Sequence, residues 1–327
     1  MFFMILMLST LICISSNSWL GVWMGLEMNL LCFIPMMNNN KNLFSNESSL
    51  KYFLVQVFSS ILLLFIVCMN FFYNNYLFML LYNNMYMIIL NSSLLMKLGM
   101  APFHFWFPSV MESLDWYNNF ILMTWQKINP FICLMYCMNI YLLYMISLIS
   151  VIIGALGGMN FSSLRSILSY SSITHMGWML ISLMYNKMIF WFYFIIYMLI
   201  SLMMTMIFNY YKFFYMNQIM SNSIYSLNKF IIMMMFFSMG GLPPFLGFFP
   251  KWFIIELLMN NDMFMYTIIL VMMTMLTLFF YLRLMFFMMI LNNFQFYWKN
   301  KLSNLKMNYL FSIFMILMFP LMFFIMI

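Results

Sequence analysis

Residues 61–69 read ILLLFIVCM, and no charged or amide side chain interrupts them. A continuous apolar run of this kind favours a membrane-spanning helix, because the strands of a membrane barrel alternate apolar and polar residues. Residues 311–327 form a similar run. The composition agrees, since 67% of the 327 residues are hydrophobic and 6% are charged, too few charges to cover a soluble domain. The sequence therefore predicts an all-α polytopic membrane protein, with the bilayer as its solvent.

Polar residues divide the chain into eleven predicted membrane helices, because a hydrocarbon core about 30 Å thick requires about 20 apolar residues per helix. Two segments, 76–107 and 229–257, are too long, and their internal Gly and Pro residues cannot keep continuous helical hydrogen bonding. Paired broken helices of this kind indicate a transport site. All segments are predicted to form one domain, residues 1–327. The segments are 1–19, 21–37, 50–70, 76–107, 117–137, 138–157, 165–185, 188–212, 229–257, 262–290 and 306–327.

The amino-acid usage indicates the genetic origin of the chain. It contains 47 Met but only two Ala and two Arg, whereas residues with AT-rich codons such as Asn, Phe and Ile are common. Mutational bias in an AT-rich organellar genome explains this pattern better than helix packing, because Ala is the best helix former. The N-terminal residues resemble neither a transit peptide nor a cleaved signal peptide. We therefore expect synthesis inside the organelle.

The basic residues in the loops and at the ends of the segments predict the topology. With the N-terminus on the matrix side, that side receives eight basic residues and the other side receives only Lys187, as the positive-inside rule requires. The positive net charge is then explained by topology and not by nucleic-acid binding, which needs a clustered basic face. The eight residues are Lys41, Lys51, Arg165, Lys212, Lys229, Lys299, Lys301 and Lys306.

No metal, cluster or nucleotide site is predicted. The five cysteines lie within apolar stretches and form neither a CxxC pair nor a Cys/His cluster, so we expect them to be small core residues. Gly154, Gly157 and Gly158 lie at a helix end, without the strand and turn of a dinucleotide loop. The chain is therefore predicted to carry no cofactor. The cysteines are Cys13, Cys32, Cys68, Cys133 and Cys137, of which the last two share a predicted helix face.

Four ionisable residues fall inside apolar segments, where each costs about 2.5–3.5 kcal/mol at a helix centre. Lys127 lies about 15 Å from either end of its predicted helix, so it must face the interior of the bundle. The four residues are Glu27, Lys97, Lys127 and Lys251. Two of the lysines belong to the interrupted segments, and the glutamate is the natural counter-charge for one lysine.

These residue types suit a proton relay. Burial favours the neutral form of a lysine and a nearby carboxylate favours its charged form, whereas an arginine stays charged. A static ion pair that orients helices is an alternative for one Glu–Lys pair, but three buried lysines against one acid leave an excess. His104, seven residues after Lys97 and thus expected on the same helix face, and His175, beside Thr174, are either further relay groups or hydrogen-bonded structural histidines.

Four motifs carry a resemblance to a known family. They are residues 97–108 (KLGMAPFHFWFP), 125–130 (WQKINP), 164–178 (LRSILSYSSITHMGW) and 240–252 (GGLPPFLGFFPKW). In order and spacing they resemble the mitochondrial NADH dehydrogenase subunit 2 family, the smallest antiporter-like membrane subunits of respiratory complex I. The resemblance spans nearly the whole chain, and although each motif alone is also similar to the larger antiporter-like subunits, their combination is specific.

The resemblance implies two inverted five-helix repeats around a hydrated axis, in a version shortened at the N-terminus. Glu27 takes the position of the family's glutamate, Lys97 and Lys251 those of its two broken-helix lysines, and Lys127 that of its central lysine. The histidines 104 and 175 also occupy familiar positions. The family implies no flavin, iron–sulfur cluster or quinone pocket in this chain.

The resemblance further implies a function and partners. The chain is expected in the mitochondrial inner membrane, where it translocates protons and couples at long range to NADH oxidation in other chains of the NADH:ubiquinone oxidoreductase. The implied partners are other membrane-arm subunits, accessory subunits and lipids such as cardiolipin, and no nucleic acid. Two alternatives stay open: a free-standing cation/proton antiporter, and a structural spacer with a dry axis.

Overall fold

The computed structural model describes residues 1–38, 42–73, 79–221 and 226–290. Within these residues the chain forms fourteen α-helices and no β-strand, apart from one isolated backbone bridge between Ser163 and Tyr215. The helices are α1 (Phe2–Ser15), α2 (Trp19–Met37), α3 (Leu43–Tyr73), α4 (Met79–Leu98), α5 (Trp106–Ser113), α6 (Trp116–Met123), α7 (Trp125–Tyr136), α8 (Ile140–Gly158), α9 (Leu164–Tyr185), α10 (Lys187–Tyr211), α11 (Met216–Ser221), α12 (Ser226–Gly240), α13 (Phe248–Asn260) and α14 (Phe264–Ile290).

Five of the described helices, α2, α3, α8, α10 and α14, are long and apolar enough to cross a membrane. The all-helical prediction is therefore confirmed for the described residues, whereas the count of eleven spans stays a prediction. The predicted segment 306–327 lies outside the described residues, and so do four of the lysines on which the topology depends. Those lysines are Lys41, Lys299, Lys301 and Lys306.

The chain divides into two compact units, Met1–Ser150 and Val151–Ile327. In the first unit, α1 packs along α2, α2 packs on α3, and α3 packs on α4 and α5, while α7 contacts α1, α2 and α4. The backbones of α1 and α2 approach closely at Gly25, where a Cβ would lie 2.9 Å from the backbone nitrogen of Cys13. A glycine is required there for the two helices to touch.

In the second unit, α9 is buried along almost its whole length and packs on α10 and α13. Its serine and threonine hydroxyls donate to carbonyl oxygens three residues earlier, as Ser172 does to Ser169 at 2.7 Å. These hydroxyls are thereby satisfied within the helix, so that a helix with many polar residues is tolerated in the interior. At Gly154 of α8 a Cβ would lie 2.9 Å from the backbone nitrogen of Thr174, so α8 and α9 also touch through a glycine.

The prediction was wrong about the start of one helix and about the continuity of another. The third helix begins at Leu43 and not at residue 50, because its polar first turns stay helical: Lys51, placed in a loop by the prediction, forms an i,i+4 salt bridge of 2.7 Å with Glu47. The continuous helix predicted for 117–137 is two helices that meet at Thr124. The Phe120 carbonyl accepts from the Thr124 hydroxyl at 2.7 Å as well as from the Thr124 N–H at 3.1 Å, and such a hydroxyl bond often bends helices.

The end of α4 is fixed by a glycine cap. The helix ends at Leu98, and Gly99 follows with a φ of +70°, a backbone conformation in which only glycine is unstrained. The Met100 N–H then donates to the Leu95 carbonyl at 3.2 Å, the six-to-one bond of a Schellman motif. Lys97 is therefore held in the last turn of α4, directly before the chain changes direction.

The end of α12 repeats this arrangement. Gly241 follows the helix with a φ of +80°, and the Leu242 N–H donates to the Phe237 carbonyl at 3.2 Å. The chain resumes helical structure at Phe248, the first residue of α13. Lys251 consequently lies in the first turn of α13, just after the interruption.

Candidate functional site

Lys97 and Lys127 line the same internal cavity of the first unit. The cavity measures about 20 Å³, which is room for about one water molecule. Lys97 is 7% exposed and Lys127 is 3% exposed, although they come from different helices, α4 and α7. The structure thus brings together two of the three lysines that the sequence predicts to be buried.

Neutral polar side chains complete the wall of this cavity. Tyr52 and Gln56 come from α3, Asn29 comes from α2, and Gln126 directly precedes Lys127. The Tyr52 hydroxyl donates to Gln126 Oε1 at 3.4 Å. In the described part of the chain, Asn29 Oδ1 and Gln126 Nε2 have no hydrogen-bond partner. A buried acceptor and a buried donor are therefore free to hold a water molecule, since unsatisfied buried polar groups are costly.

Lys97 has a neutral amide and a carboxylate in its neighbourhood. Gln56 Nε2 donates to its backbone carbonyl at 3.3 Å, which fixes the end of α4 against α3. The Glu27 carboxylate of α2 interacts electrostatically with its ammonium group, yet among the described residues the two do not form a salt bridge. Glu27 is only partly buried. The pair is thus a through-space charge interaction and not a direct ion pair between helices.

The Lys127 ammonium lies over the ring of Phe107, with 4.8 Å between Nζ and the ring centroid. A cation over an aromatic face is stabilised by the ring quadrupole. The Phe107 ring belongs to α5 and also lines the cavity. The amine is thereby held toward the cavity by an apolar side chain that cannot take up its proton.

Lys251 belongs to the second unit and has a different partner. Its Nζ donates a hydrogen bond of 2.9 Å to the carbonyl oxygen of Gly240, the last residue of α12. A cation is favourable at a helix C-terminus, where the carbonyl groups carry partial negative charge. Lys251 is 7% exposed, so its charge is compensated inside the protein.

His175 also lies in the second unit, in the middle of α9, and is 6% exposed. Its Nδ1 shares a hydrogen bond of 2.9 Å with the Tyr193 hydroxyl. The ring of Tyr197, one turn further along α10, lies 5.3 Å from the imidazole ring between centroids. The histidine is thus part of a buried cluster of titratable and hydroxyl groups.

The predicted helical relationship between Lys97 and His104 is wrong. Helix α4 ends at Leu98, so the seven residues between the two side chains are not two helical turns. His104 is 5% exposed, packs its ring on Phe105 with 4.3 Å between centroids, and does not line the cavity. Its position gives no link to the lysine through a shared helix face.

The sequence prediction missed the four amide and tyrosine side chains of the cavity wall: Asn29, Tyr52, Gln56 and Gln126. Asn29 lies two residues after Glu27, and Gln126 lies next to Lys127. The available signal was an amide or hydroxyl inside a predicted membrane segment, which needs a buried partner just as a charge does. No group of three or more His, Cys, Asp or Glu residues that suits a metal ion occurs in the described ranges.

A protein-family model described as "NADH:quinone oxidoreductase/Mrp antiporter, TM" matches residues 16–277. This places the chain in the class of antiporter-like transmembrane subunits, which are multi-pass membrane proteins. The chain is 48% identical over 271 residues to NADH-ubiquinone oxidoreductase chain 2 of Anopheles gambiae, covering 82% of this chain and 79% of the relative. It is 37% identical over 281 residues to the protein of the same name from Bos taurus, covering 81% and 78%. The chain belongs to the NADH-ubiquinone oxidoreductase chain 2 family.

Solved structures share the fold at low sequence identity. A chain of respiratory complex I from Thermus thermophilus, solved with bound aureothin, aligns with a TM-score of 0.78 and 21% identity, covering 87% of this chain and 69% of that one. A chain of an archaeal membrane-bound sulfane sulfur reductase aligns with a TM-score of 0.83 and 15% identity, covering 98% and 73%. These similarities establish the fold and carry no conclusion about activity.

Proposed function

We propose that this chain is a proton-translocating membrane subunit of mitochondrial NADH:ubiquinone oxidoreductase, in which Glu27, Lys97, Lys127 and Lys251 belong to one proton pathway. Electron transfer takes place in other chains of that enzyme, and this chain carries no redox cofactor. The observation that carries the proposal is the pair of buried lysines on one small polar cavity. The family membership supports the assignment of this pathway to NADH:ubiquinone oxidoreductase.

The cavity provides a physical reason for proton exchange between Lys97 and Lys127. Both amines line one buried cavity, and like charges repel in a medium of low dielectric constant, so we do not expect the two amines to carry protons together. A proton on one amine therefore disfavours a proton on the other. Both amines line the cavity that holds the free groups of Asn29 and Gln126, and the cavity has the size for one water molecule.

Glu27 makes the two lysines unequal, so that proton transfer between them has a direction. Its charge acts on Lys97, whereas Lys127 is stabilised by an aromatic ring. If Glu27 is neutralised or moves away, Lys97 loses a stabilising interaction and Lys127 keeps its own. The charge of Glu27 therefore determines whether Lys97 or Lys127 holds the proton. We assign the long-range coupling with electron transfer to this step.

The second unit is proposed to continue the pathway through Lys251, with His175 as an additional group. The hydrogen bond from Lys251 to Gly240 supports a state in which this lysine holds its proton. The bond between His175 and Tyr193 supports a proton-exchanging role for that histidine, because a hydroxyl both donates and accepts. His104 stays a weaker candidate, since no shared helix connects it with Lys97.

The membrane arrangement is part of the same proposal. We assign the chain to the mitochondrial inner membrane with eleven crossings in one domain, the N-terminus in the matrix and the gene in the mitochondrial genome. The ends of α4 and α12 support two broken membrane helices. Partners are other antiporter-like and small membrane-arm subunits, accessory subunits and lipids such as cardiolipin.

The decisive experiment replaces Lys127 by Met in the assembled enzyme. Proton translocation per NADH oxidised is measured in sealed inner-membrane vesicles. The proposal predicts loss of translocation or of coupled turnover, whereas the same replacement at the exposed Lys187 leaves both unchanged. A Lys127→Met enzyme with full stoichiometry would favour a spacer, and proton transport by the isolated chain in vesicles would favour a free-standing antiporter.

A further inference from the structure

Two cysteine thiols meet inside the first unit, away from the lysine cavity. Cys13 of α1 and Cys133 of α7 have their Sγ atoms 3.7 Å apart, although 120 positions separate them in the chain. They are 2% and 1% exposed. Because a disulfide bond is about 2.05 Å long, an approach of roughly 1.7 Å joins the two sulfur atoms.

The packing of α1 on α2 fixes the backbone position of Cys13. The backbone of Cys13 lies directly against Gly25, where a Cβ would meet its backbone nitrogen at 2.9 Å, so α1 cannot move toward α2. Cys137, one turn after Cys133, is engaged elsewhere: its Sγ donates to Asn91 Oδ1 at 3.3 Å and to the Cys133 carbonyl at 3.2 Å. The pair is therefore Cys13 with Cys133, and the third cysteine is not a competitor.

The pair is also connected to the proposed pathway. Cys133 lies on α7, the helix that carries Lys127. The thiolate is the nucleophile in thiol oxidation, so the reaction needs one of these thiols to lose its proton. A soft metal ion is a poorer occupant than a disulfide, because no third His, Cys, Asp or Glu stands beside these two thiols in the described residues.

We propose that Cys13 and Cys133 are a site of reversible disulfide formation by hydrogen peroxide. One thiol loses its proton and its thiolate attacks a peroxide oxygen; the O–O bond breaks, the departing hydroxide takes up that proton, and the products are a sulfenic acid and water. The second thiol then attacks the sulfenic sulfur, forms the S–S bond and releases a second water molecule. In sum, two thiols and one peroxide give one disulfide and two water molecules; the sulfur atoms are oxidised and the peroxide is reduced.

The disulfide has a predictable consequence, which rests on the proposed function. It ties α1 to α7, the helix that carries Lys127. We therefore expect the oxidised protein to translocate fewer protons per NADH, in proportion to the fraction of chains that are cross-linked. A dithiol reductant restores the original value through thiol–disulfide exchange.

The test uses the assembled enzyme in inner-membrane vesicles. After treatment with hydrogen peroxide, free thiols are alkylated under denaturing conditions, the protein is digested without reductant, and peptides are identified by mass spectrometry. A cross-linked peptide pair containing Cys13 and Cys133, absent after treatment with dithiothreitol, supports the proposal. Recovery of both cysteines as singly alkylated peptides, while peroxide oxidises other thiols of the same vesicles, overturns it.

Two cysteine variants distinguish the disulfide itself from its effect on proton translocation. Cys137→Ser is expected to keep the cross-link, and Cys13→Ser is expected to abolish it together with the peroxide sensitivity of translocation. A cross-link without any change in translocation overturns the proposed consequence and leaves the disulfide site intact. Failure of the relay itself is detected independently by the Lys127→Met enzyme, which needs no oxidation.

Discussion

Lys251 Nζ donates a hydrogen bond to the carbonyl oxygen of Gly240 at 2.9 Å, so that a buried amine closes the C-terminal end of α12. The geometry depends on the next residue, Gly241. A Cβ on Gly241 would lie 2.9 Å from the lysine nitrogen, and the backbone there has a φ of +80°. One glycine therefore determines both the path of the chain and the position of the amine.

Replacing Gly241 by Ala is expected to destabilise this region by about 1–2 kcal/mol from the backbone conformation alone, and to displace the Lys251 amine. The midpoint of thermal inactivation of the assembled enzyme measures the change. Gly240→Ala is a matched control, because its Cβ would find no atom closer than 3.6 Å. Equal midpoints for the two variants would contradict this account of the cap.

The wall of the lysine cavity gives a second prediction. Gln126→Leu removes an amide that bonds Tyr52 and lines the cavity, so we expect slower proton transfer. The expected loss of coupled turnover is several-fold, because one hydrogen bond contributes about 1 kcal/mol and this energy changes a rate by about that factor. Turnover in D₂O and H₂O should differ more for this variant than for the wild type. Tyr117→Phe, a change at a 61% exposed side chain, serves as the control. An unchanged rate and isotope effect for Gln126→Leu would argue against a role for this side chain.

The cluster around His175 gives a third prediction. Tyr193→Phe removes the hydroxyl that bonds Nδ1 at 2.9 Å, at a cost of about 0.5–1.5 kcal/mol in stability. If the histidine exchanges protons, coupled turnover falls as well and its pH profile changes. A purely structural histidine predicts lower thermal stability with an unchanged pH profile. Tyr136→Phe, at a 68% exposed position, should alter neither quantity.

The fold class could be predicted from the composition of the chain. The burial of the lysines could be predicted from the free energy that a charge costs inside an apolar segment. So few charges cannot cover a soluble surface, and an amine in an apolar segment must find an interior position. Lys97, Lys127 and Lys251 are all buried for that reason. The two glycine caps could be anticipated from Gly and Pro in the long segments.

Other features depend on contacts between distant parts of the chain. The break at Thr124 occurs where the threonine hydroxyl also bonds the Phe120 carbonyl, and the apolar content of the segment does not reveal it. The neighbourhood of Gln56 and Lys97 requires the packing of α3 on α4. The contact of Cys13 with Cys133 requires the packing of α1 on α7, and the spacing of the cysteines along the chain gives no sign of it.

The central claim is that the lysines of the cavity gain and release protons, and Lys97→Arg tests it most directly. Arginine keeps the positive charge and its interaction with Glu27 but does not release its proton. The measurement is the number of protons translocated per NADH in sealed vesicles, with assembly verified on native gels. We predict an assembled enzyme with impaired translocation. An assembled Lys97→Arg enzyme with the wild-type proton stoichiometry would contradict the claim, because a fixed charge would then be sufficient.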